Sequence, residues 1–252
     1  MVTFESLVCG NIVRRHARPF ALASAFLPLT KRRGTYALYA FCRLADAADA
    51  ADAADDAVDR AGPSGREAVR ASLRALRDQL DDALSGGFAG RVMHEAACAI
   101  RRFGIPMAPV DELVRGVARD LDPTDYRDWV SLRAYCEGVA SSVGELCTHV
   151  FGVVGGDGTR QHALAFARTL GVAMQLTNIL RDVGEDAANG RCYLPDDALR
   201  AVGLTREQVM ARDIDVRSPA WRAMMGEFVA QAGLLYREAL PGIAMLAPDA
   251  RR

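Results

Sequence analysis

Gln175, Asn178, Asp182 and Asp186 share one helical stripe: at about 100° per residue they fall within roughly 80° of arc. Leu176, Ile179, Leu180 and Val183 take the neighbouring apolar arc. Carboxylates at i and i+4 stand about one turn apart, close enough to share a hard cation through oxygen ligands. Magnesium suits such a pair, because it accepts few carboxylates and completes its shell with water and substrate phosphate. The alternative is a solvated polar face. Against it, like charges at this spacing repel unless something neutralises them, and the stripe lacks the Arg/Glu mixture that usually solubilises an exposed helix.

A second acidic region follows Cys42-Arg43-Leu-Ala-Asp46. Asp46, Asp49, Asp52 and Asp55 recur every third residue within repeated Ala-Asp-Ala units. That period drifts by about 60° per step, so the carboxylates wind around a helix instead of forming a stripe. Only Asp52/Asp56 and Asp55/Asp59 have the one-turn spacing. A low-complexity alanine–aspartate expansion on a solvated helix explains some of these residues equally well.

The elements that must position these groups are helical. The chain has 252 residues, 50% hydrophobic and 25% charged, which excludes a disordered or collagen-like polypeptide. Its 31 basic and 32 acidic residues nearly cancel, so no footprint for nucleic acid is expected. Six cysteines without a CxxC pair argue against a zinc or disulfide framework, and no run of about 18 uncharged apolar residues is present. A cytoplasmic protein is the expectation. Apolar steps of three and four predict helices over 31–59, 66–84, 91–103, 110–121, 132–154, 161–188 and 221–240, with no alternating strand run. One all-α domain spanning 1–252 follows.

Together, four segments resemble the squalene/phytoene synthase family: Phe20-Ala-Leu-Ala-Ser24, Tyr36-Ala-Leu-Tyr39-Ala-Phe-Cys-Arg43, Tyr135-Cys-Glu-Gly-Val-Ala-Ser-Ser-Val143-Gly144, and Asn178-Ile-Leu-Arg-Asp182-Val-Gly-Glu-Asp186. The last continues into Gly190-Arg191-Cys-Tyr193-Leu194-Pro195, and matching segments run from about His16 to Leu246. The resemblance implies an isoprenoid synthase fold, a helical bundle around a central apolar cavity. It implies head-to-head condensation of two identical prenyl diphosphates, giving phytoene from geranylgeranyl diphosphate or a presqualene/squalene-type product from farnesyl diphosphate. Mg²⁺ would be held by two aspartate-rich motifs: Asp182 and Asp186 in the second, Asp46 and Asp49 in the first. Gln175 and Asn178 would lie beside the second pair. Arg18, Arg43, Arg181 and Arg191 would meet diphosphate oxygens, and Tyr39, Tyr135 and Tyr193 would line the pocket near the reacting carbons. A hydrophobic product implies transient peripheral contact with membranes; oligomeric state is left open.

The first motif departs from the family pattern Cys-Arg-x-x-Asp-Asp-x-x-Asp. Asp46 keeps its distance from Arg43, but Ala47 and Ala50 replace its partners, and the intact form Asp55-Asp56-Ala-Val-Asp59 arrives nine residues late. Either Asp46 and Asp49 supply the metal oxygens, or the repeat bulges out and Asp55 with Asp59 takes over. The first register is preferred, because anchoring apolar residues directly precede Asp46. Ala17 and Pro19 stand where the family often has serines, and the chain stops at Arg252, where relatives usually continue. The damaged motif also leaves open a non-catalytic scaffold of the same fold.

Overall fold

The computed structural model describes residues 4–50, 63–119 and 126–251. Twelve α-helices carry these residues: α1 (Phe4–His16), α2 (Arg18–Ser24), α3 (Leu29–Ala50), α4 (Pro63–Leu84), α5 (Arg91–Phe103), α6 (Met107–Arg119), α7 (Trp129–Cys136), α8 (Ser142–Phe151), α9 (Asp157–Ala188), α10 (Asp196–Ala201), α11 (Arg206–Met210) and α12 (Pro219–Ala239). Among them the only extended pairing is a single bridge between Val153 and Leu246.

Local chemistry explains most boundaries. Ser218 accepts a hydrogen bond from the Trp221 amide at 3.2 Å and Pro219 occupies the first helical position, so α12 starts there. Asp128 and Ser131 form a reciprocal capping box at the start of α7. The helix expected from Arg66 starts earlier: Pro63 opens α4, because a proline in the first turn forfeits no helical hydrogen bond, and the rest of the expected break, 60–62, lies outside the described residues. Two N-terminal helices, α1 and α2, lie where the sequence reading placed none.

The helix expected over 132–154 is interrupted by a π-helical turn, Glu137–Ser141, between α7 and α8. Its cause is tertiary. A Cβ at Gly116 of α6 would lie 2.5 Å from the Gly138 carbonyl oxygen, and one at Gly171 of α9 would lie 2.5 Å from the Ala140 carbonyl oxygen. The turn is therefore pressed between two helices whose glycines let backbone approach backbone.

The turn also separates two cores. In the N-terminal one, Phe41 of α3 packs with Leu73 and Leu80 of α4, Ile100 of α5, Leu113 of α6 and Leu146 of α8. In the C-terminal one, Leu132 and Tyr135 of α7 pack with Leu176 and Ile179 of α9 and with Trp221 and Leu235 of α12. Arg168 of α9 ties them together, bonding Glu112 of α6 at 2.9 and 3.0 Å and Glu145 of α8 at 3.3 Å. By length and composition alone α9 could cross a bilayer, but it packs against α7, α8, α12 and the π turn.

Candidate active site

The residues singled out in the sequence fall into two groups. The first lies on α2 and α3. Phe20 stacks on Tyr39 with ring centroids 5.4 Å apart. One turn further along α3, Arg43 lies 4.0 Å from Asp46, their side chains 40% and 53% exposed. Burial raises the Tyr39 pKa, with the Arg43 charge opposing and Asp46 adding. The helix runs unbroken through Ala50, so Tyr39, Arg43 and Asp46 share one rigid element. Asp49 is on its last turn, with its side chain outside the described part; Asp55 and Asp59 lie outside the described residues. Arg18 sits on the opposite side of α2 from Phe20 and lines a groove against α1 and α3.

The second group is built on the end of α9. Gln175, Asn178, Asp182 and Asp186 are all half-buried, beside the buried Leu176 and Ile179, so the stripe borders the core and is not a freely solvated face. Arg181 grips Asp182 with two hydrogen bonds of 2.7 and 2.5 Å and holds its carboxyl below the usual range. Asp186 is pushed up to about 6, first by burial and then by the charge of Asp182, with Arg191 opposing. The chain then turns back on itself. The Arg191 amide donates to the Asp186 carbonyl at 2.8 Å through Gly190, which holds φ at 70°.

That return places Tyr193 in an aromatic cluster. Its ring stacks on Tyr135 at 5.1 Å, and Tyr126 closes the triangle at 5.3 and 5.7 Å. Tyr126 was missed by sequence reasoning; it lies in the connection before α7, outside any periodic pattern, and nothing local marks it. Arg206 was missed too. Its guanidinium, 12% exposed, bonds Asp196 at 2.9 Å and donates to the carbonyls of Cys192 and Leu194, gripping the backbone on both sides of Tyr193.

The donor chemistry of the stripe fits a hard divalent ion. The carboxylates are oxygen ligands, and Asp186, raised first by burial and then by the Asp182 charge, is a carboxyl that a nearby cation would relieve. No cluster of three or more His, Cys, Asp or Glu is present among the described residues. Magnesium suits a pair of carboxylates, because it completes its shell with water or phosphate oxygens. The neighbouring tyrosine faces carry the negative quadrupole that attracts cations.

The squalene/phytoene synthase profile matches residues 13–252. The chain is 32% identical over 244 residues to phytoene synthase 1 of Zea mays, covering 96% of this chain and 56% of the relative. It is 32% identical over 252 residues to the phytoene synthase of Arthrospira platensis, covering 97% and 77%. The chain thus spans little more than half the length of several plant relatives it matches. Among solved structures, a dehydrosqualene synthase aligns with a TM-score of 0.81 at 29% identity, covering 98% of this chain and 80% of the other. Squalene synthase HpnC from Alicyclobacillus acidocaldarius aligns with a TM-score of 0.79 at 27% identity, covering 98% and 86%. The all-α isoprenoid synthase fold and the match along nearly the whole sequence lead to one conclusion: the chain belongs to the squalene/phytoene synthase family.

Proposed function

We propose that the protein catalyses Mg²⁺-dependent head-to-head condensation of two identical prenyl diphosphates with release of diphosphate. Geranylgeranyl diphosphate, giving phytoene, is the expected substrate, in keeping with the curated relatives, and farnesyl diphosphate is the competing chain length. The observation that carries this reading is the half-buried Asp182/Asp186 pair, set beside Arg191 and the tyrosine cluster.

Asp182 and Asp186 hold the metal, with Gln175 and Asn178 beside them; Asp46 with Asp49 is the matching first-motif pair. Bound Mg²⁺ supplies charge neutralisation that makes diphosphate a better leaving group. Arg43, Arg181 and Arg191 orient diphosphate oxygens through their planar guanidinium forks. Arg181 already spans a carboxylate in this way. The C1–O bond breaks with its electron pair leaving on diphosphate, and the double bond of the second prenyl chain attacks the allylic cation. Loss of a proton closes a cyclopropylcarbinyl diphosphate, and a second ionisation rearranges it. Tyr135 and Tyr193, joined by Tyr126, face the cations with their rings and exclude water. Tyr39 would serve the same purpose beside Arg43.

The test is diphosphate release from each substrate by the purified protein with and without Mg²⁺, beside Asp182→Ala. Mg²⁺-dependent release that the substitution abolishes is expected, and the better substrate assigns chain length. No release from either substrate would overturn the reading in favour of a non-catalytic scaffold, which Ala47 and Ala50 in the first motif would then explain.

A further inference from the structure

Between Glu5 and Asp46 the sequence contains no acidic residue but holds six arginines and Lys31. In a chain whose net charge is -1, this is a local excess of positive charge, and the structure folds it into a surface. A groove of about 670 Å³ runs between α1, α2 and the start of α3, with Arg14, Arg18, Arg32 and Arg33 on its walls beside Leu22 and Leu29; among the described residues no carboxylate lines it. Arg14 donates to the Asn11 side-chain oxygen at 2.6 Å and Arg32 to the Ala25 carbonyl at 3.4 Å, contacts with neutral groups that leave their charge uncompensated by those partners. The one lysine is tied differently, to Asp249.

The same face exposes apolar side chains. Leu22 on the groove wall is 68% exposed, with Leu7 and Leu29 exposed beside it, and Phe26, next in the chain to the wall residue Ala25, is 63% exposed. Arg18, Ala21 and Leu22 lie within about 100° of arc on α2, while Phe20, stacked on Tyr39, points to the other side. The groove is therefore set apart from the aromatic contact on the inner face of α2. Arginines around a concavity with protruding leucine and phenylalanine match a lipid interface. The cations meet phosphate headgroups, and the apolar tips enter the acyl boundary. Nucleic acid would use the charge but leave Leu22 and Phe26 in water.

We infer that the α1–α2–α3 face is a docking surface for an anionic phospholipid bilayer, with lipid phosphates seated in the arginine groove and Leu22 and Phe26 inserted beside it. The inference needs no catalysis, so it stands or falls separately from the proposed reaction.

The test is cosedimentation of the full chain with phosphatidylcholine vesicles, with and without about 30% phosphatidylglycerol, at low and high NaCl. Binding to the anionic vesicles alone, released by high salt, is expected. Arg14→Gln with Arg32→Gln should lower partitioning on the order of tenfold or more, at about 1 kcal/mol per basic residue near the surface. Leu22→Ser with Phe26→Ser should lower it similarly, whereas Val130→Ser, an exposed valine on α7, should leave it unchanged. Circular dichroism checks that the variants fold, and the salt series on the unaltered chain needs no variant. No binding to anionic vesicles, equal binding to neutral ones, or equal loss in Val130→Ser would overturn the inference, as would binding that survives both double substitutions.

Discussion

The two acidic regions sit on helices of different character. Asp46 lies near the end of α3, half exposed and 4.0 Å from Arg43, where water screens both charges. Asp182 and Asp186 lie at the edge of the C-terminal core. There one carboxylate is gripped by Arg181 and the other is pushed up to about 6 by burial and its neighbour. Aspartates of identical chemistry thus acquire different electrostatics from their packing. Partial burial leaves Asp186 favouring added positive charge, whereas Asp46 is stable in water.

The sharpest test of that contrast is to remove one carboxylate from each region. Asp182→Ala and Asp186→Ala should each lower diphosphate release on the order of 10³-fold, against about 10²-fold or less for Asp46→Ala, on the scale of a single electrostatic stabiliser. Equal losses would break the comparison and make α3 a full partner. A smaller effect is expected at Arg206. Arg206→Met should leave Asp196 without its partner and loosen the Tyr193 backbone, at about 3 kcal/mol for a largely buried pair. A melting temperature lower by about 6–12 °C would follow, and calorimetry checks it.

Next is the seam between the cores. Gly171→Ala drives a methyl into the Ala140 carbonyl and should cost about 1–3 kcal/mol in denaturant unfolding, whereas Gly158→Ala, with open space around it, should not. The smallest effect concerns Asp186 in metal-free protein. Its folded pKa lies above the unfolded value, so the folded state binds the extra proton between the two. Stability is therefore penalised above about pH 6, and the penalty fades as pH falls toward 4. Asp186→Asn should raise the melting temperature at pH 7.5 by about 2–4 °C, equivalent to about 1 kcal/mol after solvent screening, and the gain should vanish by about pH 4. A gain that grows on acidification would contradict the assigned cause.

Much of the scaffold was legible because it rests on short-range rules. The steps Val69, Leu73, Leu76 and Leu80 predict a helix, and α4 buries all four of these residues. A hydroxyl followed by proline, as at Ser218-Pro219, is likewise a local rule, and α12 starts there. The stripe on α9 was readable for the same reason, since helical spacing alone aligns its polar residues. The π turn was not, because its cause lies in Gly116 and Gly171, each distant in sequence from Glu137–Ser141. Tyr126 and Arg206 escaped likewise: one belongs to a cluster assembled from three separate segments, the other acts through carbonyls that have no signature in side-chain patterns.

The glycine seat on α9 also makes that helix a lever. Asp186 lies fifteen residues beyond Gly171, about 22 Å along the axis at 1.5 Å per residue. A tilt of only about 3° about the seat would swing the carboxylate by about 1 Å, a displacement that in an active site costs about a hundredfold in rate. A single added methyl at the fulcrum, far from any reacting atom, would thus be magnified at the tip, whereas the same strain near Asp186 would have almost no arm to act through.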